Sequence, residues 1–167
     1  MTPASSPIAH DPVARSGLPR GRLIAIYRLM ALARGLDERA WILNRAGRTH
    51  FVISGQGHEG AEAGVTAALT PGRDWFLPYY RSMSGVIAMG MTPREVFLHQ
   101  FGKADDPASG GRQMPSHYGH AGHRIFTSSS PVGTQVLHAA GIALAAKLRG
   151  ESEVALVAMG EGSSNQG

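Results

Sequence analysis

Between residues 20 and 46 apolar side chains recur at three- and four-residue steps: Leu23, Ile26, Tyr27, Met30, Leu32, Ala33, Leu36, Ala40, Trp41 and Leu43. Arg28, Arg34, Asp37, Glu38 and Arg39 fill much of the remaining surface. That period predicts a long amphipathic helix, and Gly47 is placed to cap its C-terminus. After an irregular stretch from His50 to Gly57, residues 59–69 (Ala61, Ala63, Gly64, Val65, Ala67, Ala68) read as a small-residue helix able to pack closely. Pro71-Gly72 marks a turn. Asp74 to Tyr80 reads as a short strand running into a loop, and helices are expected over 81–90 and 93–101. Thr92, Pro93 and Glu95 make a capping box with proline at the first helical position.

Residues 102–124 are rich in Gly, His and Pro and predict a long loop, a feature that in compact domains usually carries function. The segment 133–149 holds Val136, Leu137, Ala139, Ala140, Ile142, Ala143, Leu144, Ala145 and Ala146 with almost no polar face. A helix apolar all round is expected to be buried. Glu153 to Met159 is apolar without alternation, as in a strand covered on both faces of a parallel sheet. The order helix, strand, Gly-rich turn gives an α/β class: a parallel sheet flanked by helices. Residues 1–19, with Pro3, Pro7, Pro12 and Pro19, are expected to form a flexible arm, and 20–167 the domain.

Composition narrows the class. The chain has 167 residues, 22 Gly, no Cys, 43% apolar residues and net charge +4. The absence of Cys excludes a disulfide scaffold and a thiolate zinc site. The apolar fraction argues against disorder. Sixteen basic residues are scattered rather than clustered, so no nucleic-acid partner is expected. No apolar run approaches the ~18 residues of a membrane span, and no apolar secretory core is seen; a cytoplasmic location is expected.

The strongest chemical signal is Met159-Gly160-Glu161-Gly162-Ser163-Ser164, just past the carboxyl end of the second strand, where open α/β sheets bind ligands. Glycines let backbone approach phosphate oxygens. A divalent cation would reconcile the Glu161 carboxylate with that anion. The alternative is an ordinary strand-to-helix turn. Arg81, after Tyr79-Tyr80, could hold a phosphate bidentately or lie as a surface ion-pairing residue. Ser128-Ser129-Ser130-Pro131-Val132-Gly133-Thr134-Gln135 offers hydroxyls, an amide and carbonyls for a hard cation or a ring's polar edge, besides helix capping by Ser130 or Thr134. His117, His120 and His123 are three apart, but Gly119 and Gly122 argue against a helix, so the spacing does not gather three rings for zinc. A loop histidine acting as acid, base or orienting group is favoured. His58, His99 and His138 are read as packed or surface residues.

Together these segments resemble one family, the alpha subunits of thiamine-diphosphate-dependent 2-oxo acid dehydrogenases. The resemblance is carried by Gly55-Gln56-Gly57-His58-Glu59-Gly60, Asp74 to Arg81, Gly111-Arg112-Gln113-Met114-Pro115-Ser116-His117-Tyr118-Gly119, Ser129-Ser130-Pro131 and Gly160-Glu161-Gly162. It covers roughly residues 20–167, and the Arg-Gln-Met-Pro and Tyr-Tyr-Arg stretches look most like the branched-chain type. It implies a thiamine-diphosphate-binding fold, incomplete at its C-terminus. Tyr80 and Arg81 would contact the diphosphate. Ser130 and the backbone of Val132 would face the aminopyrimidine. Gly160, Gly162 and Ser163 would lie against the diphosphate, with Glu161 a magnesium ligand. Ser129, Pro131, Thr134 and Gln135 match a potassium site of some members. Phe51 and His117 would border the substrate, His117 as a catalytic, orienting group. The implied chemistry is oxidative decarboxylation of a 2-oxo acid with acyl transfer to a lipoyl group. Implied partners are a beta subunit, in a heterotetramer, and a lipoyl-bearing acyltransferase component. The motif commonly opens Gly-Asp-Gly, so Glu161 departs from it; a later asparagine pair and a histidine of the family lie outside this sequence. The isolated fragment is therefore expected to be inactive. A pyruvate or acetoin dehydrogenase alpha subunit, a non-catalytic scaffold of the same fold and a generic nucleotide-binding domain are the alternatives.

Overall fold

The computed structural model describes residues 12–166. The elements run α1 (Pro12–Arg15), α2 (Arg20–Arg45), α3 (Glu59–Thr66), β1 (Trp75–Leu77), α4 (Met83–Ala88), α5 (Pro93–Gln100), α6 (Thr134–Arg149) and β2 (Ala155–Val157), with single 3-10 turns at Ala121–His123 and Glu161–Asn165. Of the expected arm, residues 1–11 lie outside the described residues, and α1 is a single helical turn.

Local signals set the helix ends. Gly47 takes φ +67° just past α2. Its amide donates to the Asn44 carbonyl and that of Arg48 to the Leu43 carbonyl, the paired bonds that close a helix with a left-handed residue. At α5 the capping box forms in full: Thr92 Oγ1 accepts the Glu95 amide, and Glu95 Oε2 accepts the Thr92 amide.

β1 and β2 pair in parallel, Phe76 opposite Leu156. The other edge of β1 is also bonded: the Phe76 amide donates to Arg124 and the Phe126 amide to Phe76. Being paired on both sides, β1 is the axis of the domain. Phe76 is fully buried and anchors a core with Ala33 and Leu36 of α2, Met83, Val86 and Ile87 of α4, and Met91, Val96, Tyr118 and Ile125.

Two expectations about burial are corrected. The apolar helix α6 buries only Gln135, Ala139 and Ala146, while Leu137 and Leu148 are 77% and 79% exposed. β2 is half-buried throughout rather than covered on both faces. The reason is geometric. A sheet of two strands offers α6 one narrow face, and the described residues supply no layer on its other side. No helix among the described residues is long and apolar enough to cross a membrane.

Buried acids tie the loops to this frame. Asp74 Oδ2 accepts the Thr70 amide at 2.7 Å and Arg73 Nη2 at 2.8 Å, and Oδ1 accepts the Val154 amide at 3.0 Å. It thus joins the start of β1 to the start of β2. Asp106 does the same for the loop after α5, accepting from the amides of Ala108, Ser109 and Gly111 and from buried His99.

The Arg73 guanidinium holds the Asp74 carboxyl down to about 2 against the opposing effect of burial, helped by the Thr70 and Val154 amides. A depressed folded-state value means that the stabilisation is complete above the ordinary carboxylate range, about 3.9, and is lost as pH falls toward 2. Denaturant titrations across pH 2–6 should show this loss, and Asp74→Ala should remove it at a cost of about 1–3 kcal/mol, because it takes away the acceptor of two part-buried amide bonds and an arginine.

Candidate functional site

The site grows from the turn that follows β1. The Tyr79 amide donates to Ser82 Oγ, and the Ser82 amide donates back to the Tyr79 carbonyl. The Ser128 hydroxyl holds the Pro78 carbonyl from the opposite side. Tyr79, Tyr80 and Arg81 are thereby presented on a braced loop at the carboxyl end of β1, whose Phe76 and Leu77 are fully buried.

Arg81 is fixed by a second segment. Asp37, buried on α2, accepts the Gly55 amide at 2.7 Å, the Ser54 hydroxyl at 3.1 Å and the Gln56 side-chain amide at 3.3 Å. This draws residues 54–56 against the turn. Arg81 Nη1 donates to the Ser54 carbonyl at 2.6 Å, and the guanidinium lies 5.5 Å from the Tyr80 ring centroid. Gly55 is required there: a methyl group on it would sit 2.5 Å from the Arg81 carbonyl oxygen. A guanidinium has five N–H donors, so the bond to Ser54 leaves capacity for an anion.

Across from Arg81 lies the turn after β2. Gly160 has extended backbone, φ −77°, and caps the 3-10 turn Glu161–Asn165. Its glycine is not demanded by a left-handed conformation. Instead the space over Gly162 is open, and over Gly160 the nearest atom is Tyr79 Cε2 at 4.0 Å. The two glycines leave bare backbone facing a cleft of about 550 Å3 lined by Tyr79, Tyr80, Arg81, Glu161, Gly162 and Ser163, with Gly160, Val132, Met159, Gln166 and His58 completing the wall. That size suits a cofactor-sized ligand. A hollow of about 610 Å3 along α2, between Trp41, Arg45 and Gln56, has no comparable bare backbone.

His58, expected as a packed or surface residue, is exposed and also borders the cleft. Its Nδ1 shares a 2.7 Å hydrogen bond with the Tyr79 hydroxyl, and both line the cleft. Burial and the Glu62 carboxyl raise the Tyr79 phenol above its ordinary value, so it stays protonated. The position of His58 within Gly55-Gln56-Gly57-His58-Glu59-Gly60 was the available signal.

His117 is buried beside the cleft. Its Nδ1 faces the Pro115 carbonyl at 3.2 Å, which assigns the proton to that nitrogen, so Nε2 accepts the Ser130 hydroxyl at 2.6 Å. Its ring lies 6.5 Å from that of Tyr80. The expected capping of α6 by Ser130 or Thr134 does not occur. Gly133, at φ +86°, is the N-cap, Ser130 is held by His117, and the Thr134 hydroxyl donates to the Pro131 carbonyl at 3.0 Å. Gln135 gives its amide N–H to the Ala158 carbonyl while its Oε1 is buried without a partner. The Thr134 hydroxyl and the Pro131 carbonyl that accepts it adjoin Gln135 in sequence. Ser129 belongs to the same loop and is half-buried. Phe51 is not among the cleft residues; its side chain is exposed and its carbonyl accepts the Gln100 amide.

The three loop histidines separate. His120 and His123 lie tilted against each other, ring centroids 4.2 Å apart, beside Glu95, away from the His117–Ser130 pair. His120 Nδ1 accepts the His123 amide, which directs the Nε2 proton to Glu95 Oε1 at 3.5 Å. A metal on Nε2 would need that proton on Nδ1, against the amide, so this cluster is a clasp between α5 and the loop.

Residues 27–167 match the family described as Dehydrogenase E1 component. The chain is 53% identical over 151 residues to the 2-oxoisovalerate dehydrogenase subunit alpha of Bacillus subtilis, covering 90% of this chain and 46% of that one. It is 35% identical to the mitochondrial 2-oxoisovalerate dehydrogenase subunit alpha of Homo sapiens, covering 90% and 33%. It is 34% identical to the pyruvate dehydrogenase E1 component subunit alpha of Zymomonas mobilis, covering 89% and 42%. The chain thus spans less than half the length of these relatives.

The two turn glycines should respond oppositely to substitution. Gly55→Ala should lower stability by about 1–3 kcal/mol through overpacking against Arg81, whereas Gly162→Ala, with open space above it, should stay within about 0.5 kcal/mol; thermal denaturation of the two variants checks this.

Proposed function

This chain belongs to the dehydrogenase E1 component family, and on that premise we propose that it is the cofactor-holding part of a 2-oxo acid dehydrogenase alpha subunit of the branched-chain type, with 2-oxoisovalerate (3-methyl-2-oxobutanoate) as substrate. The observation that carries this reading is the convergence of Arg81, the bare backbone of Gly160 and Gly162 and the Glu161 carboxylate on one cleft. A guanidinium and unhindered amides suit a diphosphate, and the carboxylate beside them would serve as an oxygen ligand to a magnesium ion.

Thiamine diphosphate, when bound, supplies the carbon nucleophile and electron sink of the decarboxylation. The chain's own residues bind, orient and exclude water. Tyr80 and Arg81 hold the diphosphate end, and Gly160, Gly162 and Ser163 form its floor. Glu161 gives the metal an oxygen ligand. Val132 and Ser130 lie toward the ring end, where the Ser130 hydroxyl is already oriented by its bond to His117. His117 is the group that would orient a substrate carboxylate or carbonyl, donating from Nε2 in the tautomer that gives up the Ser130 hydroxyl, with Phe51 contributing to the approach. The orphaned Gln135 oxygen, with Thr134, Pro131 and Ser129, supports a potassium ion that stiffens the loop before α6. Residues 20–167 form this part. A beta subunit completes the active site and a lipoyl-bearing acyltransferase component accepts the acyl group; the location is cytoplasmic. The similarity to a pyruvate dehydrogenase subunit at 34% identity makes pyruvate the second substrate to test.

The full-length subunit assembled with its beta partner should turn over 3-methyl-2-oxobutanoate faster than pyruvate, in a manner dependent on thiamine diphosphate and magnesium. The reverse order would assign pyruvate, and no cofactor binding would reduce the chain to a scaffold. Residues 1–167 alone should show no turnover. Arg81→Ala should weaken cofactor binding about 10- to 100-fold, the value of a charge-assisted hydrogen-bonding group; calorimetric titration measures it.

A further inference from the structure

Beneath the cleft is a carboxyl that the reading above does not use. Glu62 on α3 is 6% exposed. Its Oε1 accepts the Ser82 hydroxyl at 2.9 Å, and its Oε2 has no hydrogen-bond partner. Oε2 instead faces the Gly85 backbone, where an added methyl group would lie 2.6 Å away. Ser82, itself fully buried, uses the same hydroxyl oxygen to accept the Tyr79 amide. A continuous chain of bonds therefore runs from Glu62 through Ser82 to the first residue of the turn that carries Arg81.

Among the described residues no cation serves Glu62. On α2, Arg34 is paired with Glu59 at 2.7 Å, and Asp37 is committed to residues 54–56. On the turn, Arg81 is bound to Ser54 and Tyr79 to His58. α4 offers only Ser82, Ser84 and apolar groups, and β1 presents Phe76. Glu161 faces Tyr79 across the cleft and adds negative charge. One oxygen is thus satisfied by a neutral donor and the other by none, an environment suited to an uncharged carboxyl. Burial pushes Glu62 up, opposed only by the Ser82 bond.

Resting on the cofactor reading, we infer that Glu62 is a positioning residue: through Ser82 it fixes the Tyr79–Arg81 turn in its anion-binding shape, and its neutral form is the working one. Ionisation as pH rises places an unpaired charge beneath the diphosphate-binding turn, where it repels the anion. Glu62→Gln keeps the oxygen that Ser82 needs and cannot ionise; Glu62→Leu removes the acceptor.

The test is the dissociation constant of thiamine diphosphate with magnesium, measured on the full-length subunit with its partner from pH 6 to 9. Relative to Glu62→Gln, wild type should lose affinity several-fold as pH rises. Glu62→Leu should bind about tenfold more weakly at every pH, and Ser82→Ala should do the same if the leucine variant does not fold. Superimposable pH profiles for wild type and Glu62→Gln, or wild-type affinity in Glu62→Leu or Ser82→Ala, would overturn the inference. A wild type that binds no cofactor at any pH would overturn the cofactor reading and this inference with it.

Discussion

The close approach of Gly55 to the Arg81 carbonyl, enforced by Asp37, is the contact on which the site depends. A buried aspartate on the longest helix collects two amides and a hydroxyl from residues 54–56. That segment then meets the turn after β1 so tightly that only hydrogen fits at the Gly55 α-carbon. The Ser54 carbonyl orients the guanidinium as a result. Without this clamp Arg81 would be a long side chain on an exposed loop, with its rotamer freedom still to be lost on ligand binding. With it, most of that ordering is done in the folded protein.

The same economy recurs around β1. Charged residues are few in this chain, yet several of its acids lie inside: Asp37, Glu59, Glu62, Asp74 and Asp106. Four of them act as hubs that accept from backbone amides or an arginine, and so pin loops that have little apolar surface of their own. Glu62 differs, having only a serine hydroxyl for company. A buried acid with an unused oxygen is costly as a charge, which ties its protonation state to the shape of the turn above it.

Much of this was legible locally. The period of α2, the Thr92 capping box and the left-handed closure at Gly47 are decided by neighbours in sequence, and they appear where the pattern placed them. The conjunction of Arg81 with Gly160-Glu161-Gly162 was implied by the family resemblance, and parallel strands that deliver their carboxyl ends to one edge account for it. Other features depend on distant contacts. His58 gains its place in the cleft from Tyr79, far along the chain, and nothing in its neighbours' polarity announces that bond. Ser130 sits where a cap is expected, but the left-handed backbone at Gly133 takes the cap position and frees the hydroxyl for His117. The all-apolar pattern of α6 reports a helix suited to burial; it carries no information on which surface does the burying, and the described sheet covers only one side.

Hydrogen exchange of the full-length subunit with its partner, followed by mass spectrometry with and without thiamine diphosphate and magnesium, tests the cleft assignment most directly. Added cofactor should slow exchange in two separate segments at once, residues 79–82 and 160–166, while the Trp41–Arg45 face of α2 stays unchanged. Protection confined to one of those segments, or appearing along α2 instead, would contradict it.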